Sequence, residues 1–276
     1  MTENLPAVIE IDAGQTSPAQ ELSDVWRYRD VGLVLGARDI KVRYKQTILG
    51  AAWAILRPVL TMAIFTVIFG RLARMPSDGY PYSVFVYSGL LPWTFFSGAL
   101  TAASQSLVGS QNLVSKVYFP RLIIPLSSIG AGLVDLAIST GILLLLMLYY
   151  RVGWTLNLLL APLLLLGVVF AALGIGTLLC ALTVAYRDFR HLTPFMVQIW
   201  LYVTPVIYPS SLFPEQYRWL LYLNPMTGMV EGFRWAFLGK AMEPVGLLIS
   251  VVVSILFFLV GVAYFEKVER RFADII

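Results

Sequence analysis

GYPYSVFVYSGLLPWTFFSGALTAASQSLVGSQNLVS, residues 79 to 115, carries no charged side chain. A second stretch, residues 152 to 186, carries none either. An α-helix needs roughly 20 apolar residues to cross the ~30 Å hydrocarbon layer of a bilayer, and each stretch is longer than that. Shorter uncharged runs lie at 58–70, 122–134, 136–150, 192–214 and 244–265. In lipid every backbone polar group must be satisfied within the chain, which long apolar runs achieve as helices. The sequence therefore describes an all-α polytopic membrane protein.

The rest of the composition agrees. Hydrophobic residues make up 58% of the chain and charged residues 13%, against about 25% charged in soluble domains. A chain of 276 residues holds about six spans with short loops, and no large soluble domain beside them. The expected spans are 52–74, 82–106, 122–148, 160–183, 192–209 and 244–265. Pro58 and Pro194 fall near span starts, where a missing N–H costs little, while Pro205 and Pro209 bend or end the fifth span. No charged n-region precedes a short apolar run and cleavage site, so no cleavable signal is expected. Cys180 and His191 are the single cysteine and histidine. That excludes an intrachain disulfide and a zinc or iron site of clustered Cys and His, and no metal is expected.

Charge placement orients the spans. With the N-terminus inside, the cytoplasmic segments hold Arg27, Arg29, Arg38, Lys41, Arg43, Lys45, Lys116, Arg121, Arg187, Arg190, Lys267, Arg270 and Arg271, thirteen basic residues. The outer segments hold Arg71, Arg74, Arg151, Arg218, Arg234 and Lys240, six. The excess follows the positive-inside rule. It puts both termini in the cytoplasm and requires an even number of spans.

Residues 210–240 need a separate account. Asn224 suits an N-cap, Pro225 a first helical position and Gly239 a helix end. A second short helix begins near Pro214. Each is too short to span. The pair reads as an outer re-entrant helical hairpin between spans five and six, or as an interfacial loop held by its aromatic residues.

Residues 1–24 are expected to be a mobile cytoplasmic segment, ahead of a membrane domain at 25–276. Residues 25–48 are expected to form an amphipathic interface helix. Leu33, Ala37, Ile40 and Tyr44 recur at helical spacing as its apolar face, with Arg27, Arg38, Lys41 and Lys45 beside it. Such a stripe anchors a helix among lipid headgroups, or gathers anionic lipid or a phosphate-bearing substrate.

Four segments then matter together: RDIKVRYKQTILGAAWAILRPVL at 38–60, GSQNLVSKVYFPRLIIPL at 109–126, AYRDFRHLTPF at 185–195 and YLNPMTGMVEGFRWAFLG at 222–239. In order and spacing they resemble the membrane subunit of type-2 ABC exporters for cell-surface polysaccharide, most of all the O-antigen exporter permease. Capsule and teichoic-acid exporter subunits are close relatives. The resemblance implies a transport subunit and not an enzyme, with no catalytic residues. It implies two copies of this chain and two copies of a separate ATPase subunit, which binds the ATP and magnesium. The chain itself holds no G-x-x-x-x-G-K-[ST] loop, and so no phosphate cradle of that kind.

The resemblance also implies a coupling helix in the loop 109–121, with Lys116, Tyr118, Phe119 and Arg121 facing the ATPase. The alternative is a loop whose basic residues only enforce topology. A lipid-linked polysaccharide needs aromatic platforms and polar contacts along its conduit. The candidates are Tyr82, Tyr87, Trp93, Trp200 and Tyr202, with Asp135 as a polar contact in span three. The same aromatics could equally belong to interfacial belts, and Asp135 could make a structural hydrogen bond to Ser139 or Thr140. Glu231 and Arg234, three apart on a helix, could pair in a gate formed by 210–240. The expected function is thus ATP-driven export of an O-antigen-like glycan across the inner membrane, with partners limited to the second copy, the ATPase, the glycan and lipid, and no nucleic acid. The competing readings are a membrane-embedded polyprenyl-phosphate glycosyltransferase and an exporter of small molecules.

Overall fold

The computed structural model describes residues 18–45, 50–114, 116, 117 and 119–275. Tyr118, most of the expected mobile segment, and residues 46–48 of the expected interface helix lie outside them. The described residues are helical, with no strand among them. Two helices precede the first long apolar one: α1, Pro18–Arg27, and α2, Arg29–Lys45. Next come α3, Gly50–Phe65, running on as a π-helix at Thr66–Leu72, and α4, Tyr82–Gly109. The short α5, Gln111–Val114, and α6, Ile123–Ser127, lead into α7, Gly130–Tyr149. A 3-10 turn at Leu156–Leu160 opens α8, Ala161–Ala185, which is followed by α9, Phe189–Val203. The chain closes with α10, Glu215–Leu221, α11, Pro225–Leu238, and α12, Pro244–Ile275.

Among the described residues five segments are long and apolar enough to cross a bilayer: Ala52–Leu72, Tyr82–Gly109, Ile123–Tyr149, Leu156–Ala185 and Pro244–Glu269. The sixth expected span, 192–209, differs from these. Its helix α9 has 15 residues and ends at Thr204, which is extended. Pro205 and Pro209 account for the stop, since neither has an N–H to continue the ladder. The region 210–240 does hold two short helices, as its caps foretold. The Asn224 side chain accepts from the Met226 N–H at 3.0 Å, and Gly239 ends α11 in the left-handed region at φ 72°. That conformation is easy for glycine alone.

Burial is uneven. Across its most apolar window α4 is 78% buried, whereas Ala52–Leu72 buries none. Around α4 pack α8, α7 and α11, and the shared core runs from Val84 and Phe96 to Val168, Met229 and Phe233. The polypeptide backbones of α8 and α12 touch. A β-carbon on Gly261 would fall 2.1 Å from the Gly174 carbonyl oxygen, and one on Gly174 would fall 2.4 Å from the Phe258 nitrogen. In the same way Gly176 faces Ala103 and Gly167 faces Met229. Small residues admit such approach because helices in lipid associate through close packing.

The N-terminal helices depart from expectation. There is no continuous interface helix from 25: a break at Tyr28 separates α1 from α2. The buried face of α2 is centred on Leu35 and Gly36, while Leu33 is 69% exposed. Gly32 lies against Ile123, and Gly36 against Ser127 and Gly130. At the far end Tyr44 meets Asp135. The partners advance together, so α2 runs alongside α6 and α7 in the same direction. Leu33, Ala37 and Ile40 line one side of an apolar groove of about 620 Å³ facing Ile123, Leu126 and Gly130. Glycine packing, invisible to a hydrophobic pattern, turned the helix.

Valine at Gly174 or Gly261 should destabilise the α8–α12 pair by about 1–3 kcal/mol or more, as overpacking does. Valine at Gly141, which has nothing within 4 Å of its added carbon, should leave the thermal midpoint in detergent nearly unchanged.

Candidate functional site

A polar recess opens between α2, α3, α4 and α7. It is a cavity of about 490 Å³ whose wall includes Arg43, Tyr44, Trp53, Arg57, Ser97 and Asp135. Asp135 takes an ion pair from Arg43 Nη2 at 2.5 Å and a hydrogen bond from the Tyr44 hydroxyl. Burial and that carboxylate push the Tyr44 hydroxyl up to about 12, so it stays a donor at neutral pH. Ser139 lines the same cavity, while Thr140 turns away and donates to the Leu136 carbonyl at 2.8 Å. Asp135 therefore answers the basic end of α2, 91 residues away in sequence, and not a neighbour on its own helix. Arg57 projects into the cavity with its guanidinium 5.8 Å from the Trp53 ring centre.

None of the four residues of the expected basic stripe lines this cavity. Arg27, Arg38, Lys41 and Lys45 are all exposed, and Arg38 spends its charge on its neighbour Asp39 at 2.8 Å. Arg43 and Arg57, which were not placed in that stripe, are the cations that converge. Their signal was present in the sequence only as two basic residues flanking a span start. The contact with Asp135 is a tertiary fact.

A second polar cluster is buried. Arg234 on α11 is fully enclosed. Its Nη1 donates to the Pro205 carbonyl at 2.7 Å and to Glu231 Oε1 at 3.0 Å, and its Nη2 donates to the Val206 carbonyl at 2.7 Å. Its guanidinium lies 3.7 Å from the Phe85 ring centre. Lys240 Nζ bridges Glu231 Oε2 at 2.8 Å and Asp78 Oδ2 at 2.7 Å. The Glu231–Arg234 pair anticipated from its spacing thus exists, enlarged by Lys240 and Asp78. The reason Arg234 is tolerated lies in the helix break: carbonyls 205 and 206 face inward without helical partners, and a buried cation needs such acceptors. Burial pushes the Asp78 carboxyl up, but the Lys240 ammonium more than offsets that and holds it below the usual carboxylate range.

The loop 109–121 divides into a tip and a root. Lys116 and Val117 are exposed at the tip. Phe119 is turned inward, 6% exposed, in a cluster with Leu35, Leu107 and Leu122. Arg121 faces α12, donating from Nη1 to the Glu269 carbonyl at 2.8 Å. Phe119 and Arg121 thus make contacts within this chain.

The aromatic candidates also separate. Tyr87 and Trp93 are core residues. The Tyr82 hydroxyl donates to the Ile207 carbonyl at 2.7 Å. Trp200 donates from Nε1 to Asn224 Oδ1 at 3.0 Å and meets Phe96 edge-on. Only Tyr202 of the five is exposed, at 56%. It shares a face of α9 with Phe195 and Gln198, both exposed. Among the described residues no group of three or more His, Cys, Asp or Glu could hold a metal ion.

The described residues form a helical domain in which five segments are long and apolar enough to cross a membrane. The family model of the ABC-2 type transporter matches residues 32–238, and the chain belongs to that family. It is similar to an O-antigen export system permease protein of Klebsiella pneumoniae, 29% identical over 251 residues, covering 90% of this chain and 95% of that one. A permease protein of the same description from Myxococcus xanthus is 29% identical over 256 residues, covering 91% and 97%. A polysialic acid transport protein of Escherichia coli is 26% identical over 242 residues, covering 84% and 91%.

Removing one member of a buried ion pair costs about 3–5 kcal/mol. Glu231→Gln should therefore lower stability strongly, and Arg234→Met at least as strongly because the Pro205 and Val206 carbonyls also lose their donor, measured as thermal midpoints in detergent. Asp78 has its pKa lowered on folding, so its contribution is present above about pH 4. It is lost as pH falls through the folded value, and Asp78→Asn should flatten that acid limb of a stability–pH curve.

Proposed function

We propose that this chain is the membrane-spanning subunit of an ATP-driven exporter that carries a lipid-linked, O-antigen-like polysaccharide outward across the inner membrane. The observation that carries the reading is the end-to-end similarity to O-antigen export permeases, over 90% of this chain. A polysialic acid transport protein among the relatives keeps the substrate class at charged or neutral cell-surface glycans. ATP and magnesium are bound by a separate ATPase, two copies of which serve two copies of this chain.

Several features support that assembly. Ala52–Leu72 is apolar and has no fully buried residue across its most apolar window, which leaves surface on it for a second copy to meet. The exposed Phe195, Gln198 and Tyr202 face of α9 supplies aromatic surface and an amide, the pairing sugars use. With α9 and the extended residues after it counted as a crossing, the spans number six and both termini are cytoplasmic. Residues 210–240 then form the outer hairpin, and the Glu231–Arg234 cluster locks it. In this arrangement the 109–121 loop meets the ATPase through Lys116, Val117 and Tyr118, while Phe119 and Arg121 transmit the load to the bundle.

The test is ATP hydrolysis and glycan export by the chain purified in lipid with its co-encoded ATPase. Val117→Asp combined with Lys116→Ala should leave this subunit folded and reduce coupled hydrolysis several-fold. Phe119→Ala should instead lower the thermal midpoint by a large-to-small loss of about 3–5 kcal/mol. Absence of any ATPase from the purified complex would remove the reading.

A further inference from the structure

Unusual backbone is concentrated at the end of the first apolar span. Residues Thr66–Leu72 are wound as a π-helix, a form closed by bonds five residues apart and rare beyond a single turn. Wide closures continue past it: the Ala73 N–H donates to the Ile68 carbonyl at 2.9 Å, and the Met75 N–H to the Phe69 carbonyl at 2.8 Å. Arg74 and Asp78 follow in the left-handed region, at φ 49° and 51°, where a side chain crowds the backbone. In an α-helix a threonine hydroxyl can donate to the carbonyl four residues back, as Thr61 does to Arg57 and Thr140 to Leu136. Among the described residues the buried Thr66 hydroxyl oxygen has no hydrogen-bond partner.

Such backbone persists where its surroundings over-determine it, and here they do so on one side. The Tyr80 hydroxyl donates to the Leu238 carbonyl at 2.8 Å, and the Tyr82 hydroxyl to the Ile207 carbonyl at 2.7 Å. Asp78 accepts from the Ser211 hydroxyl at 2.9 Å and pairs with Lys240 Nζ at 2.7 Å. The linker after the π-helix is thus stapled at four points to residues 207–240. The Tyr82 ring also wedges against Gly70, where an added β-carbon would fall 2.8 Å from it. The span itself is held lightly. It meets the main hydrophobic core through Met62, Phe65 and Phe69, all partly buried.

We propose that the end of α3 is a two-state helix, held in the π form by its staples to residues 207–240 and recoiling to the α form when those staples part. Recoil offers the Thr66 hydroxyl the Met62 carbonyl. It also turns the body of α3 about its own axis by roughly 100°, the angle of one residue. Trp53 and Arg57 of α3 stand in the wall of the polar cavity. Arg57 lies about 20 Å of helix from Leu72, so a movement of the 207–240 segment reshapes that wall from a distance. The device belongs to the packing of this chain and holds whatever the chain carries.

The experiment uses the full chain in nanodiscs, with spin labels on Leu56→Cys of α3 and Leu145→Cys of α7, both exposed positions. Labelled copies are diluted with unlabelled ones, and the buried Cys180 escapes labelling. The otherwise unchanged chain should give one distance. Asp78→Asn with Ser211→Ala should add a second population, shifted by up to about 8 Å, the chord of such a turn on a helix about 10–12 Å across. Thr66→Val should shrink that population, because the α form then gains no hydrogen bond. Deleting Ile68 removes the surplus residue of the π segment. It should leave the thermal midpoint close to that of the intact chain and abolish the second population. Deleting Ile64, in regular helix, should lower the midpoint far more.

A single unchanged distance in the staple variant would overturn the device. So would a broad smear in place of two distances, which would mean that the end of the span had only frayed. An Ile68 deletion as damaging as the Ile64 deletion would make the π-helix a fixed part of the fold and overturn it as well.

Discussion

A guanidinium with no access to water organises one end of this molecule. Arg234 is fully buried and makes hydrogen bonds to two carbonyls, those of Pro205 and Val206, and to Glu231. Neither carbonyl could stay bare in an apolar interior, and neither can join a helix that Pro205 has ended. The arginine solves a problem that the prolines create. In doing so it ties α4, through Phe85, to α11 and to the extended segment after α9. A β-carbon at Gly89 would come within 2.9 Å of Arg234 Nη2, so a glycine on α4 clears the space. Lys240 then carries the network out to Asp78. Because each charge has a partner, the cluster fixes one arrangement of these segments and excludes slippage among them.

Local chemistry was legible in the sequence, and long-range pairing was not. Asn224 and Gly239 were readable as cap and terminator because their roles depend on a few adjacent residues, and both occupy those roles. The Glu231–Arg234 pair follows from helical spacing alone. By contrast, nothing local joins Arg43 to Asp135 or Arg121 to Glu269, separated by 148 residues. Phe119 looked like a partner-facing aromatic, and its neighbours Leu35 and Leu107 come from distant helices. Trp93 and Tyr87 carry the composition of an interfacial belt and are in fact core, because α4 is surrounded on most sides.

The path of α2 shows the same limit in another form. Its apolar residues repeat with helical spacing, which led to a helix lying among headgroups with Leu33 and Ala37 turned inward. The structure rotates the helix so that Leu35 and Gly36 face α6 and α7 instead. A glycine contributes nothing to a hydrophobic stripe, yet it permits the closest approach of backbones. Where small residues set the contact, the most apolar face and the packed face need not coincide.

Helix α12 has 32 residues, or about 48 Å at 1.5 Å per residue, well beyond the ~30 Å of bilayer hydrocarbon. Just ahead of its start, Glu243 is paired with Arg218 of α10 at 2.9 Å. Near its far end, Glu269 receives Arg121 of the loop that follows α5. A continuous helix resists compression and bending far better than a chain of loops. Loops on opposite ends of the bundle are therefore tied to one strut, and backbone contact with α8 at Gly174 and Gly261 serves as its bearing. The loop beside Arg121 and the helix bearing Arg218 are thus mechanically coupled through one rigid element.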